Sequence, residues 1–454
     1  MTSLTRDLAR IVGADAVLPG TVGPFLVDAT ESRFLRGEAD AIVLPETAEE
    51  VARVVAWCYE HDVAIVPRGG GTGFAGGAVP IAGGVVVALE RLARVRSFDP
   101  LLWRIHVEAG VRTGELRRIA RESGLLFPPD PGAAEQSQIG GNIATNAGGP
   151  HAFKYGVTGT WVTGLEAVAA PGELISVGGA IRKDVAGYDL KSLLIGSEGT
   201  LGIVTAAWLR LLPAPEAFLP LVAFYPEANA GCEAMERVVG AGLRVAALEY
   251  LDEGALTAAG AAYPGRLPDG ARFLVLVEAD GSRAEAEALR DEAVEALRDG
   301  SLVVEAPEEA TIADLWRWRD GVSFAATGRR GGKVSEDVVV PFDRLREAIA
   351  GTVELGRRHG VEACSWGHAG DGNVHSSFLV SPDDAEELRR AEAAADDLFT
   401  LAVELGGSIT GEHGIGWVKR GKLERQWSAR AVELHRAVKS AFDPKGLFNP
   451  GKKV

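Results

Sequence analysis

The stretch Pro67-Arg-Gly-Gly-Gly-Thr-Gly-Phe-Ala-Gly-Gly-Ala78 places six glycines in twelve residues, directly after a predicted strand over 63–66. Its segment Gly71-Thr-Gly-Phe-Ala-Gly76 matches the GxGxxG motif of dinucleotide-binding βαβ units. However, only eight residues, 77–84, separate this motif from the next predicted strand, and they include proline and paired glycines. A βαβ crossover needs about 10–12 residues or more, including its helix. The sequence therefore excludes a Rossmann-type nicotinamide site.

Two further glycine-rich tracts follow, GGNIATNAGG over Gly140–Gly149 and GSEGTLG over Gly196–Gly202. Glycine makes up 57 of 454 residues, about 13%, against an ordinary usage of ~7%. Glycine permits positive φ angles and close approach of the backbone to a ligand, and successive N–H groups can form an anion-binding concavity. An ordinary turn remains an alternative for any single tract. Three tracts together favour a large anionic ligand.

Composition excludes several classes of protein. The chain carries 47 Lys+Arg and 63 Asp+Glu, a net charge of −16, which disfavours a nucleic-acid partner. Its three cysteines are far apart and form no CxxC, which excludes a disulfide framework and an iron–sulfur cluster held by this chain alone. The N-terminus has no signal-peptide core, and the apolar runs have the length of strands. We expect a cytoplasmic protein, at most attached peripherally to the inner face of the membrane.

The pattern of elements changes at the proline-marked segment Leu211-Leu-Pro-Ala-Pro215. After it, strands alternate with charged helices, which predicts an α+β domain with helices on one face of a largely antiparallel sheet. We predict three parts: a ligand-binding domain over 1–214, a second domain over 215–405 and a C-terminal segment over 406–454.

Two of the eight histidines flank a turn in Gly367-His-Ala-Gly-Asp-Gly-Asn-Val-His375. A hairpin here would bring both imidazoles together, and Thr410-Gly-Glu-His-Gly414 adds a carboxylate at Glu412. Such a set suits Zn²⁺ first, and Fe²⁺ or Mn²⁺ as alternatives. From spacing alone, an ordinary turn with incidental histidines is equally acceptable.

The glycine tracts, together with Lys154-Tyr-Gly156 and RKDVAGYDLKSLLIGSEGTLGIVT over Arg182–Thr205, resemble the vanillyl-alcohol oxidase/p-cresol methylhydroxylase superfamily. Within it the chain is most similar to the branch of the glycolate oxidase FAD subunit, D-lactate dehydrogenase and D-2-hydroxyglutarate dehydrogenase. The resemblance implies a PCMH-type FAD-binding domain of two α+β subdomains, an α+β cap domain with an antiparallel sheet, and a C-terminal segment that returns to the flavin. No histidine lies in Pro67–Ala78, so we expect non-covalent FAD. The FAD-binding residues that the resemblance implies are Pro67, Arg68, Gly69, Gly70, Gly71, Thr72, Gly73, Gly76, Gly77, Ala78, Gly140, Gly141, Asn142, Thr145, Asn146, Gly149, Tyr155, Gly156, Glu198, Gly202, Ile203 and Asn449.

The same resemblance implies a divalent metal held by His368, His375 and Glu412. Neighbouring side chains of an extended segment point to opposite sides, so we predict that His413 does not bind the metal and acts as general base. The resemblance also assigns Arg319 to the substrate carboxylate, and Ser323 and Lys333 to weaker contacts. Ser377 stands where the hydroxyglutarate branch has asparagine, which weakens the case for a five-carbon diacid.

These features predict an FAD- and metal-dependent dehydrogenase that converts a D-2-hydroxyacid of the D-lactate or glycolate type to the 2-oxoacid, with hydride transfer to flavin N5. Electrons would then pass to a quinone, a cytochrome, an electron-transfer flavoprotein or a separate iron–sulfur subunit, and a homodimer is compatible with the sequence. The alternatives are a D-2-hydroxyglutarate dehydrogenase or a non-catalytic flavoprotein subunit of a glycolate oxidase complex.

Overall fold

The computed structural model describes residues 3–30 and 35–454 and has α+β architecture. Its helices are α1 (Ser3–Val12), α2 (Ala48–Glu60), α3 (Thr113–Glu122), α4 (Ile139–Thr145), α5 (Ala152–Tyr155), α6 (Leu190–Leu194), α7 (Ala228–Gly240), α8 (Glu253–Ala259), α9 (Arg283–Arg298), α10 (Ile312–Asp320), α11 (Val322–Arg330), α12 (Leu345–His359), α13 (Ala385–Glu404) and α14 (Ala429–Phe442). Within the two described ranges, every helix is too short or too polar to cross a bilayer.

The strands are β1 (Val17–Pro19), β2 (Ala41–Val43), β3 (Ile65–Arg68), β4 (Val85–Ala88), β5 (Val95–Asp99), β6 (Arg104–Glu108), β7 (Leu125–Leu126), β8 (Val162–Ala169), β9 (Glu173–Gly178), β10 (Ile203–Arg210), β11 (Leu212–Pro213), β12 (Ala217–Tyr225), β13 (Ala247–Leu251), β14 (Phe273–Gly281), β15 (Val303–Glu305), β16 (Gly332–Val339), β17 (Glu362–His368) and β18 (Asn373–Val380). The chain divides into two compact units. The first comprises the chain up to Gly148, Gly156–Ala214 and Glu412–Val454, and the second comprises Gly149–Tyr155 and Pro215–Gly411.

The first unit contains a four-stranded sheet in the order β1-β2-β4-β3 and a five-stranded sheet in the order β5-β6-β10-β8-β9. Strands β3 and β4 are parallel neighbours, with Ile65 opposite Val85. The connection over 69–84 contains no helix. This confirms the prediction that the motif does not belong to a Rossmann-type βαβ unit.

Helix α2 shows how this unit forms its core from local signals. Thr47 caps the helix by accepting a hydrogen bond from the Glu50 N–H at 3.1 Å. In a capping box the Glu50 carboxylate would accept a hydrogen bond from the N–H of Thr47. Here it accepts from the N–H of Glu46, one residue earlier. Val51 and Val54, one turn apart, are fully buried in the core of the four-stranded sheet.

The second unit is built on a seven-stranded antiparallel sheet in the order β15-β12-β14-β13-β17-β18-β16. The expectation of helices on one face only is wrong. Side chains of α8, α10 and α11 pack with one face of the sheet. On the opposite face, Thr352 of α12 bonds the Ser376 hydroxyl of β18 at 2.7 Å. Strand β18 is buried at every position, so it needs cover on both faces.

One face of this sheet gathers polar side chains in an otherwise apolar setting. Directly opposed residues share a face, and the register pairs Glu249 with His368, and Asp337 with His375. Cross-strand pairing of Trp366 with His375 places both histidine positions on that face. The sheet thus presents two carboxylates and two imidazoles side by side.

Candidate active site

The segment Pro67–Ala78 forms an open loop that leaves β3. Gly71 and Gly76 adopt φ angles of +68° and +73°, which glycine alone adopts without strain. The hydrogen bonds formed among residues 3–30 and 35–454 include none from the backbone N–H groups of 69–74. A Cβ added at Gly73 or Gly77 would meet nothing within 4 Å. The loop therefore offers free donors and open space, which fits a pyrophosphate.

The second glycine tract packs against this loop as helix α4. A Cβ added at Gly69 would lie 3.3 Å from the Gly141 Cα, and one at Gly140 would lie 2.6 Å from the Ala109 Cβ. The glycines therefore let backbone approach backbone. Polar side chains fix α4 itself: Asn142 donates to the Thr113 hydroxyl at 2.7 Å, and Asn146, directly after the helix, accepts from the Gly159 N–H at 2.8 Å.

Glu198 connects three segments of the first unit. Its carboxylate accepts hydrogen bonds from the N–H groups of Ile415 at 3.0 Å and Gly416 at 2.6 Å, and it pairs with Lys453 at 3.0 Å. Asn449 donates from Nδ2 to the carbonyls of Gly77 at 2.9 Å and Glu198 at 2.8 Å. The C-terminal segment is thereby tied to the first and third glycine tracts.

Lys452 is a residue that the sequence did not single out. It is 3% exposed, and its ammonium donates to the carbonyls of Gly77 and Val79 and to the Asn449 amide oxygen. Burial lowers the pKa of Lys452 to about 7. Asn449 and Lys452 draw the Gly77 carbonyl toward the C-terminal segment. The sequence shows a lysine close to the C-terminus but contains no signal that its side chain is buried.

We expect Asn449→Ala to weaken FAD retention. The change removes two hydrogen bonds, each contributing about 0.5–1.5 kcal/mol, from the Gly77 and Glu198 carbonyls. Asn449 also adopts a φ of +47°, which alanine tolerates less well than asparagine. The measurement is the FAD-to-protein ratio after extended dialysis, with exposed Lys445→Ala as control. Equal FAD retention in both variants would contradict the role of Asn449.

Other residues expected at the cofactor have varied surroundings. The Arg68 guanidinium faces inward and donates to the carbonyls of Val27 at 2.7 Å and Pro24 at 2.8 Å. Burial lowers the pKa of Arg68. Gly149 and Tyr155 belong to the second unit, where the Tyr155 hydroxyl donates to Asp280. Burial, together with Asp280, raises the pKa of Tyr155. Three positions lie in the first unit: Gly156 with a φ of +78°, Gly202 with a φ of +154°, and Ile203 at the start of β10.

His368, His375 and Glu412 each offer one ligand atom, and these atoms all lie within 4.8 Å of one another. The histidines end β17 and lie within β18, so the hairpin brings them together, with ring centroids 5.2 Å apart. Glu412 follows directly on Gly411, the last residue of the second unit. Two imidazoles and a carboxylate at this separation fit a divalent cation.

Glu249 lies beside this cluster, and the sequence analysis missed it. It is 0% exposed, and its Oε1 lies 2.7 Å from the His368 Nδ1. Its other oxygen pairs with Arg319, which is 5% exposed. The Arg319 Nη2 atom makes this ion pair, whereas Nε makes no hydrogen bond within the described part of the chain. The one sequence signal for Glu249 was an acidic residue inside the apolar strand Ala247–Leu251.

Asp337 holds the segment that leads into Glu412. Its buried carboxylate accepts hydrogen bonds from the Gly411 N–H at 2.6 Å and the Thr410 hydroxyl at 3.1 Å. Gly411 packs so closely on the Asn373 amide that a Cβ there would collide with it. These contacts restrict the position of the Glu412 backbone.

His413 has different surroundings from its neighbour. Its ring packs on Phe74 of the first loop, with centroids 4.8 Å apart. Its Nε2 lies 3.9 Å from the Glu412 Oε1, and His413 is not among the residues of the metal cluster.

The Glu412 carboxylate lies close to the backbone of Gly148. A Cβ added at Gly148 would lie 2.8 Å from the Glu412 Oε2, so the absence of a side chain at Gly148 leaves room for Glu412.

The weaker candidates Ser323, Lys333 and Ser377 lie in the second unit. The Lys333 ammonium donates to the carbonyl and hydroxyl of Ser323, and it lies 5.7 Å from the Trp366 ring centroid. The Ser377 hydroxyl bonds the Ser335 hydroxyl at 2.9 Å. Both serine hydroxyls of this pair therefore have a partner within the sheet.

An open glycine loop that fits a pyrophosphate and a separate α+β unit with an antiparallel sheet are consistent with a flavoprotein oxidoreductase. Comparison with known proteins agrees. The family of FAD linked oxidases, C-terminal domain, matches residues 214–453, and the FAD binding domain family matches residues 39–178. The chain belongs to the FAD-linked oxidase family.

Relatives match over nearly the whole chain. The glycolate oxidase subunit GlcD of Bacillus subtilis is 37% identical, covering 99% of this chain and 97% of the relative. A probable mitochondrial D-lactate dehydrogenase of Danio rerio is 33% identical, covering 99% and 92%. A D-2-hydroxyglutarate dehydrogenase of Xanthomonas citri is 37% identical, covering 91% and 88%. These relatives confirm the predicted branch of the superfamily.

Solved structures confirm the predicted fold class. Substrate-bound p-cresol methylhydroxylase superimposes with a TM-score of 0.80 at 17% identity, covering 99% of this chain and 96% of that one. An alkyldihydroxyacetonephosphate synthase gives a TM-score of 0.75 at 19% identity, covering 98% and 84%. At such identities the likeness shows the fold alone.

Proposed function

We propose that this protein is an FAD- and divalent-metal-dependent dehydrogenase that oxidises a D-2-hydroxyacid of the D-lactate or glycolate type to the 2-oxoacid. The observation that carries the proposal is the cluster of His368, His375 and Glu412, with ligand atoms within 4.8 Å of one another. The names of the relatives, a glycolate oxidase subunit and a D-lactate dehydrogenase, support the substrate class.

His368, His375 and Glu412 would hold the metal, with Zn²⁺ first and Fe²⁺ or Mn²⁺ as alternatives. When bound, the metal supplies Lewis acidity that lowers the pKa of a substrate hydroxyl, and FAD supplies the acceptor for the hydride. The loop Pro67–Ala78, the tract Gly140–Asn146, and Glu198 with Asn449 would hold the FAD without a covalent bond.

Two cationic or basic side chains would act on the substrate itself. Arg319, whose Nε atom makes no hydrogen bond in the described chain, would donate to the substrate carboxylate. His413 would accept the hydroxyl proton as general base. The balance is simple: the substrate loses one proton to His413 and one hydride from C2, which leaves the 2-oxoacid and reduced FAD.

We propose that residues 1–214 bind the FAD, residues 215–405 bind the substrate and residues 406–454 complete the site. The reduced flavin needs an acceptor such as a quinone, a cytochrome, an electron-transfer flavoprotein or an iron–sulfur subunit. That one relative is named as a subunit supports a separate protein partner. A cytoplasmic location remains part of this proposal.

Two simple measurements test the proposal. The purified protein should be yellow and should release FAD into the supernatant on acid precipitation, whereas flavin in the pellet would contradict non-covalent binding. Under anaerobic conditions, D-lactate or glycolate should bleach the flavin absorbance. Bound FAD that no 2-hydroxyacid bleaches would favour a non-catalytic flavoprotein subunit, and bleaching by D-2-hydroxyglutarate alone would favour the diacid enzyme.

A further inference from the structure

Glu249 occupies an unusual place for an acidic side chain. It lies within the apolar strand β13, is 0% exposed, and stands directly opposite His368 on β17. An ionised carboxylate in such a setting is costly unless it is paired and hydrogen-bonded. Two residues meet these conditions. The His368 Nδ1 lies 2.7 Å from the Glu249 Oε1, and the Arg319 Nη2 forms an ion pair with the Glu249 Oε2.

The contact with His368 determines which ring nitrogen carries the proton. An ionised carboxylate only accepts hydrogen bonds, so the His368 Nδ1 must be the donor. In the neutral imidazole Nε2 is then the nitrogen that carries the lone pair, and the ring is fixed in orientation. Glu249 therefore prepares His368 as a ligand through a contact that exists without the metal.

The contact with Arg319 links a second proposed function to the same carboxylate. Arg319 lies near the end of α10 and is 5% exposed, so its cation needs a buried counter-ion. Glu249 supplies it from one side and leaves the Arg319 Nε without a partner in the described chain. One carboxylate thus holds both a metal ligand and the arginine expected to bind the substrate.

We propose that Glu249 is a positioning residue that sets the tautomer and orientation of His368 for metal binding and holds Arg319 for the substrate carboxylate. This inference rests on the proposed function, because it needs His368 to be a ligand. In Glu249→Gln the side chain keeps its length but can no longer accept from both partners. If its amide group faces His368, the ring takes the other tautomer, and if it faces Arg319, two donors oppose each other.

The test is the affinity of the FAD-loaded protein for Zn²⁺, measured by competition with a chromogenic chelator. Loss of a carboxylate that orients a metal-binding histidine typically lowers affinity about 10–100-fold, and we expect Glu249→Gln to show a loss in this range. Glu249→Asp, which keeps the charge, should recover part of the loss. FAD content should remain at the wild-type level.

Asp252→Asn is the matched control, since Asp252 is 4% exposed and lies three residues along the same chain segment. Its carboxylate bonds Ser365 and the Ala255 N–H, and Asp252 is not a member of the metal cluster. This control should lower the melting temperature and leave Zn²⁺ affinity unchanged.

His368→Ala, measured in parallel, separates two kinds of failure. Wild-type Zn²⁺ affinity in His368→Ala would overturn the metal site and the role of Glu249 together. A loss in His368→Ala with wild-type affinity in Glu249→Gln would overturn the role of Glu249 alone. Equal losses in Glu249→Gln and Asp252→Asn would assign the effect to general destabilisation and would also overturn it.

Discussion

Replacing His368, His375 or Glu412 by alanine should each abolish metal occupancy and turnover while FAD remains bound. Each change removes one of three clustered ligand atoms, which should cost more than the ~10–100-fold expected for a supporting residue. The residues that we propose to hold the FAD, among them Gly77 and Glu198, are different ones, so flavin content should be unaffected. Metal content by elemental analysis and the flavin spectrum measure the two effects separately.

A histidine of the same unit provides the control for these variants. His359 ends α12, pairs with Asp397 at 2.8 Å and is not a member of the metal cluster. His359→Ala should keep full metal content and turnover. Full metal content in any one of the three ligand variants would remove that residue from the site.

His413→Asn should slow anaerobic flavin reduction about 10²–10⁴-fold, the usual effect of losing a general base. The imidazole of His413 packs on Phe74 and stands apart from the clustered ligand atoms, so the variant should keep both metal and FAD. Stopped-flow absorbance measures the reduction rate, and binding of an oxoacid product analogue checks that the site is intact.

His435→Asn provides the control, because His435 stacks on Trp427 with ring centroids 4.1 Å apart. It should reduce its flavin at the wild-type rate. Loss of metal from His413→Asn would make His413 a ligand, and an unchanged reduction rate would leave it without a role as base.

Local signals made much of the fold predictable. The strand predicted over 63–66 corresponds to β3 over Ile65–Arg68, because a short apolar run bounded by glycine is a signal that acts over a few residues. The two histidines at 368 and 375 were paired from a seven-residue spacing across an Asp-Gly-Asn turn. A hairpin is short enough for its geometry to be read from sequence.

Long-range pairing accounts for what the sequence did not reveal. Glu249 lies 119 residues from His368, and their contact depends on the neighbouring positions of β13 and β17 in the sheet. The sequence did not determine the order of the strands in this sheet. It also led to the incorrect expectation that helices cover one face only. The nearly continuous apolar run Phe273–Val277 was the available signal that the sheet is covered on both faces.

In the proposed reaction, the metal and the FAD act together on a 2-hydroxyacid. The most direct measurement is anaerobic reduction of the flavin by D-lactate and by glycolate, before and after removal of metal by a chelator. We expect the metal-free protein to keep its FAD, to show no bleaching with either substrate, and to regain reduction when Zn²⁺, Mn²⁺ or Fe²⁺ is restored. Reduction of the metal-free protein at the full rate would show that the metal has no part in the reaction.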